Sequence, residues 1–292
     1  MGRIARACGF CDDTALAHLD MNRIVGSHDI VLLTLDTLRY DVAIDLWQRG
    51  RTPNLAALLP RAGWQKRHAP GSFTYSSHHA MFAGFLPTPC EPGPHPRLFA
   101  MAFEGSESIA SETCVFDSAT LVEGLGNAGY HTLCVGGTGF FNKSTPLGKV
   151  LPGLFAESHW DRSLGVTDAD STKNQFRVVA SSLARLDDDQ RAFVFVNIAA
   201  LHQPNYFYCE GRSKEDGDDL RSHAAALEYV DTQLPALLET LQSRGPSLVI
   251  LCSDHGTAYG EQGHTGHRIA HEVVWTVPYA EAIVPRASES TR

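Results

Sequence analysis

Short apolar runs recur along the chain, each closed by a polar or glycine-rich cluster. Ile30-Val31-Leu32-Leu33-Thr34-Leu35 is almost unbroken, as is Ala192-Phe193-Val194-Phe195-Val196-Asn197-Ile198, and Leu248-Val249-Ile250-Leu251 is shorter but continuous. Such runs, β-branched or aromatic and without alternation, read as strands covered on both faces, as in a parallel sheet. Stretches 130–136 and 277–284 read as two more. Between them lie segments with helical spacing: a short one opened by Thr52-Pro53-Asn54-Leu55, then 119–128 stopped by Gly129, then 174–186, and the long 220–241. Strands alternating with helices predict an α/β fold, a mostly parallel central sheet sandwiched by helices.

Other segments are less patterned. Residues 1–28 carry no strong period and read as a loosely ordered N-terminal extension, leaving 29–292 as one domain without internal repeat or linker. Pro- and Gly-rich 87–96 reads as irregular connection, and 137–170 has no assignable pattern. In 71–84 a hydroxyl-rich loop is expected to feed a helix at Ala80-Met81-Phe82-Ala83, whose first backbone N–H groups would favour an anion.

Composition narrows the class. The chain has 292 residues, 43% hydrophobic and 20% charged, ordinary for a globular protein. A formal charge of −9 argues against nucleic acid and acidic membrane surfaces as partners, while leaving room for a local basic pocket. Seven scattered cysteines make no disulfide framework, and the Cys8 to Cys11 spacing has no second pair to complete a metal site. No apolar run approaches the ~20 residues of a membrane span, and the N-terminus lacks a secretory h-region. The expectation is a cytoplasmic protein; its oligomeric state is not legible.

Chemistry collects at the ends of the apolar runs. Asp36 follows the first, His202 the third and Asp254-His255 the fourth, while Thr74 lies at the start of a helix. An Asp-His-Gly sequence alone is equally a plain turn. Repeated at several strand ends, the pattern places carboxylates and an imidazole in the crevice where open α/β sheets bind ligands. That donor set suits one divalent cation, zinc or manganese before calcium or magnesium. A Thr hydroxyl becomes a competent nucleophile once a cation lowers its pKa. Nearby histidines would hold the oxygens of a phosphate or sulfate ester.

The same residues carry a family resemblance. LTLDTLRYD at 33–41, TPNLAAL at 52–58, SFTYSSHHAMFAGFLP at 72–87, TLVEGLGNAGYHTLCVG at 120–136, HQP at 202–204, ALEYVDTQLPALLETLQSRG at 226–245 and the SDHG stretch at 253–256 occur in family order. The chain thus resembles the alkaline phosphatase superfamily in its sulfatase-like branch, from residue 29 to about 284. The resemblance implies metal ligation by Asp36, Thr74, Asp254 and His255. It makes Thr74 the nucleophile, His202 and His267 catalytic or substrate-binding, and His78 a substrate contact beside the nucleophile. His264 and His271 compete with His267 for its place. Arg39 is expected to form an ion pair beneath the site, with Asp41.

Departures from the family bear on the activity. The stretch Thr74-Tyr75-Ser76-Ser77-His78 has no cysteine from which formylglycine could be made, and Gly137 stands where sulfatases carry a lysine. Sulfatase activity is therefore disfavoured. Ile198 to Leu201 lacks the aspartate that two-zinc relatives place ahead of His202, so one metal is expected. The long C-terminal subdomain of sulfatases is expected to be missing. The reading is a metal-dependent hydrolase of a small anionic phosphate or phosphonate ester acting through a Thr74 intermediate. Transfer of the phosphoryl-type group to an alcohol or amine is the alternative, ahead of a sulfatase and of a non-catalytic binding protein on the same fold.

Overall fold

The structure, a computed structural model, describes residues 19–84, 98–99, 114–115 and 119–287. The first 18 residues with Cys8 and Cys11, the 87–96 connection with Cys90, and the side chain of Cys114 lie outside the described residues.

Seven strands form the central sheet: β1 (Asp29–Leu35), β2 (Gln65–His68), β3 (His131–Val135), β4 (Glu157–His159), β5 (Ala192–Ile198), β6 (Ser247–Cys252) and β7 (Thr276–Val284). Their spatial order is β2-β7-β6-β1-β5-β3-β4. From β6 to β4 all neighbours are parallel, and β7 and β2 extend the sheet antiparallel at one edge. The chain is an α/β protein with a mostly parallel sheet between helical layers.

The unbroken apolar runs follow from burial on both faces. In β1, Val31, Leu33 and Leu35 enter one core with helices α1 (Tyr40–Gln48), α4 (Ser171–Leu183) and α5 (Leu220–Arg244). Ile30 and Leu32 enter the other with α2 (Thr74–Ala83) and α3 (Leu121–Asn127). The period of two alternates side chains between these layers, so no position of the strand can be polar without a partner. Phe193 and Phe195 of β5 meet Phe82, Phe141 and Phe155 in the second core, with ring centroids 5.1 to 5.9 Å apart.

Several elements differ from expectation. Helix α2 begins at Thr74 itself, so the hydroxyl-rich stretch is its first turn rather than a feeding loop. Helix α4 starts three residues before the expected 174 and stops at Leu183; α5 runs on to Arg244 past an internal Pro235. The unassigned 137–170 segment folds into short helical turns, among them Gly139–Phe141 and Pro146–Val150, before β4. Residues 21–24 of the expected extension form a helical turn whose Ile24 joins the second core.

Candidate active site and metal centre

The parallel strands all end at one edge of the sheet. Asp36 follows β1, Gly136 to Thr138 follow β3, the 199–202 turn follows β5 and Asp254-His255 follow β6. The crevice outside these carboxyl ends is where such a sheet positions a ligand. Helix α2 points its first residue, Thr74, into the same place; ligand atoms of Asp36, Asp254 and His255 lie within 4.8 Å of one another, and Thr74 Oγ1 lies 3.4 Å from His255 Nε2.

Each of these groups has one atom tied down and another left over. Asp36 Oδ2 accepts from Asn197 Nδ2 at 2.8 Å, while Oδ1 is buried without a partner. Asp254 Oδ1 accepts from the backbone N–H groups of Thr37 (3.2 Å) and His255 (3.0 Å), and Oδ2 has no hydrogen bond. His255 Nδ1 donates to the Gly256 carbonyl at 2.9 Å, which leaves Nε2 with its lone pair free. Two orphaned carboxylate oxygens, one imidazole nitrogen and a hydroxyl around one point are a poor arrangement for an empty interior and a good one for a divalent cation. The residues fit the metal.

Electrostatics point the same way. Burial and the proximity of Asp254 raise the pKa of Asp36 above the usual carboxylate range, and burial raises that of Asp254. Burial lowers the pKa of His255, keeping it neutral as a ligand must be. Two like charges that repel one another in a dry site are what a bound cation relieves.

Glycine is required next to this centre. A Cβ on Gly256 would meet the Val273 carbonyl oxygen at 1.9 Å, so the close packing of that loop excludes any larger residue after His255. A Cβ on Gly137 would fall 2.4 Å from the Asn197 carbonyl oxygen, so this position has no space for the lysine carried by sulfatases. Arg39 is 3% exposed; it binds Asp41 through Nε (2.9 Å) and the Thr257 carbonyl (3.4 Å), and pairs with Glu261, clamping the loop after β6 against the turn after β1.

The histidines separate by role. His202 and His267 line an open cleft of about 310 Å³ directly above Thr74. His202 Nδ1 donates to the Gln203 carbonyl at 2.6 Å, leaving Nε2 available. The His267 ring lies 4.6 Å from that of His255 and 5.7 Å from that of His202; burial and these neighbours push its pKa down to about 3. His264 and His271 pack on each other away from the cleft, and His271 Nδ1 caps the backbone N–H of Val273.

The expected substrate contact by His78 is corrected. Its ring is fully buried beneath the site between Phe82, Phe141 and Phe195. Nδ1 donates to the Thr74 carbonyl at 2.7 Å and Nε2 pairs with the Thr34 hydroxyl at 2.9 Å, so neither nitrogen is left for a ligand. Burial pushes its pKa down to about 4, and as a neutral ring it braces the first turn of α2. One helical turn separates Thr74 from His78, which turns the imidazole back under the nucleophile position rather than toward the cleft.

Asn197 and Arg268 are site residues that a scan for metal and nucleophile motifs passes over. Asn197 is fully buried at the end of β5; its Oδ1 accepts from the Thr138 N–H at 3.0 Å and its Nδ2 holds Asp36. The signal for it was a lone amide inside an apolar strand. Arg268 lines the cleft next to His267, and only its adjacency to that histidine marks it in the sequence.

The family model described as Sulfatase matches residues 28–280. The chain belongs to the sulfatase family. No curated protein sequence matches it. Among solved structures it is similar to the C-terminal periplasmic domain of phosphoethanolamine transferase EptC from Campylobacter jejuni, at 16% identity and a TM-score of 0.57, covering 88% of this chain and 79% of that one. A zinc complex of the corresponding EptC domain from Escherichia coli gives 16% and 0.58, covering 88% and 73%. The lipoteichoic acid synthase LtaP from Listeria monocytogenes gives 13% and 0.54, covering 88% and 65%. At such identities the likeness establishes the shared fold.

Proposed function

We propose that the chain is a metal-dependent transferase of a phosphoryl-type group, with Thr74 as the nucleophile that carries the group between a donor ester and an alcohol or amine acceptor. One observation carries the reading: Thr74 Oγ1 sits 3.4 Å from His255 Nε2, beside the unpartnered oxygens of Asp36 and Asp254 and under the cleft of His202 and His267. A bound divalent ion, held by Asp36 Oδ1, Asp254 Oδ2, His255 Nε2 and Thr74 Oγ1, would lower the pKa of the hydroxyl and neutralise charge on the transferred group. Zinc or manganese suits two carboxylates, an imidazole and a hydroxyl.

The protein's own groups account for the rest. Thr74 Oγ1 gives its proton to the His202–His267 pair as it attacks phosphorus, and the bond to the leaving oxygen breaks as that oxygen takes the proton from the pair. In the second half the same pair takes a proton from the acceptor O–H or N–H, whose heavy atom attacks phosphorus, and returns it to Thr74 Oγ1 as that bond breaks. The Gln203 carbonyl fixes the His202 tautomer so that Nε2 is the atom exchanging the proton. Thr74 at the first position of a ten-residue helix also presents backbone N–H groups to the non-bridging oxygens.

Transfer is favoured over hydrolysis because the similar structures are phosphoethanolamine transferases and a lipoteichoic acid synthase. Thr at position 74 supports neither formylglycine chemistry nor a sulfatase mechanism dependent on it. The test is metal-loaded Thr74→Ala, assayed with a phosphate ester and added alcohol or amine acceptors. Turnover should fall by roughly a thousandfold or more, and the parent protein should give acceptor-dependent adducts. Retained turnover in the metal-loaded variant would overturn the nucleophile, and water as the sole acceptor would return the reading to a hydrolase.

A further inference from the structure

The walls of the cleft above Thr74 differ in chemistry from its floor. Phe140, Leu147 and Val166 make one part apolar. Among the described residues that line it there is no Asp or Glu, and Arg268 is the one permanently charged side chain. A chain of formal charge −9 thus presents a lone cation at the entrance to its reactive centre.

Arg268 is held there at a cost. Its φ is +69°, the left-handed region that a long side chain rarely occupies, and such strain persists where surrounding contacts impose it. The imposing contacts are visible. The Arg268 N–H donates to the Ser72 carbonyl at 2.8 Å, and its guanidinium lies 5.1 Å from the ring centroid of Phe73, the residue immediately before Thr74. Among the described residues no carboxylate pairs with it. The result is an unpaired guanidinium stacked against the lip of the nucleophile's helix.

We propose that Arg268 determines specificity by binding an anionic substituent on the non-transferred part of the donor ester. Phe140, Leu147 and Val166 cover the short apolar spacer that joins this anion to the ester oxygen. The proposal rests on the transferase reading of Thr74 and names the substrate class of the same cleft. A cavity of about 310 Å³ takes a compact group, at the small end of ligand sites. A guanidinium with no carboxylate beside it disfavours an aminoalkyl group there, since like charges repel and the ammonium would find no partner.

The test uses the metal-loaded full chain and three aryl phosphates whose phenols differ little in acidity: meta-carboxyphenyl, phenyl and meta-(aminomethyl)phenyl phosphate. The expected order of kcat/KM is carboxylate, neutral, ammonium, with roughly tenfold between the extremes, the scale of a charge-assisted contact at a partly exposed site. Added salt should narrow that spread. Arg268→Ala should level the three substrates, and Arg268→Lys should keep the order with a smaller spread. Equal rates in the parent protein overturn the proposal. So does an equal loss on all three substrates in Arg268→Ala, which would place the guanidinium on the transferred group. Turnover retained in metal-loaded Thr74→Ala refutes Thr74 as the nucleophile instead, and water as the sole acceptor refutes transfer. If none of the esters is turned over, calorimetric binding of the matching aryl methylphosphonates reads the same order without chemistry, and equal affinities overturn the proposal.

Discussion

Replacing Asn197 with leucine removes one side chain that holds two parts of the site. Its Nδ2 anchors Asp36 Oδ2 at 2.8 Å and its Oδ1 receives the Thr138 N–H at 3.0 Å, all in the dry interior. Leucine keeps the γ-branched shape of asparagine but is bulkier, so no cavity opens and the lost hydrogen bonds set the minimum cost. Leaving a buried carboxylate oxygen and a buried N–H unpaired costs on the order of 1–3 kcal/mol each. The sum, about 4 kcal/mol, should lower the melting temperature by roughly 8 °C in a chain this long. The sharper effect falls on the metal. Asp36 offers Oδ1 only because Oδ2 is anchored, and removing such an outer partner typically weakens metal binding about 10–100-fold. Competition with a chromogenic chelator measures that affinity, and thermal unfolding with and without metal measures the stability. A variant that loses several degrees yet binds zinc within about twofold of the parent would refute the reasoning, reducing Asn197 to a packing residue.

Three further outcomes follow from the geometry. Asp36 and Asp254 hold protons above the usual carboxylate range through burial and, for Asp36, the neighbouring Asp254 charge. In metal-free protein the folded state therefore binds more protons than the unfolded one, and stability falls as pH rises from that range towards neutral. The rise in melting temperature on adding zinc should grow from about pH 5 to about pH 8; an increment flat with pH sinks the idea. Gly256→Ala drives a methyl into the Val273 carbonyl, so metal binding and stability should fall together; an unaltered melting curve would contradict the packing. Burial opposes ionisation of Glu157, but hydrogen bonds from Ser182, His159, His131 and Arg185 outweigh it and hold the carboxyl down to about 2. Its stabilisation is present above the unfolded pKa near 4.5 and lost as pH falls towards 2. Glu157→Gln should therefore destabilise at neutral pH, with the difference vanishing in acid; urea unfolding at both pH values decides.

What the sequence made legible was what burial forces. Strands β1, β5 and β6 are covered on both faces, so their apolar runs stand out, and the residues just beyond them had to lie at the sheet's carboxyl edge. Strand β2, Gln-Lys-Arg-His, is exposed along its length and exists only by pairing with β7, so no local pattern announces it. The start of α2 was misread because serine and threonine favour loops in isolation, whereas here packing of Tyr75 and Phe82 into the second core extends the helix back to Thr74. The family resemblance puts His78 in the cleft, beside Thr74. Whether a histidine faces ligand or core depends on the helix's rotation about its axis, which neighbouring sequence does not encode. Asn197 acts through a partner 161 residues away, and no local rule reads such a contact.

The arrangement of the metal ligands also bears on how the protein is made. Asp254 leaves the ribosome 218 residues after Asp36, and the two meet only when β6 docks beside β1. Until then β1 presents an unpaired apolar edge, the kind of surface that exposes a nascent α/β chain to aggregation and recruits chaperones. A chain that stops short of β6 would not hold the cation, because Asp254 and His255 follow that strand. Occupancy of the site would therefore report that β6 has docked beside β1.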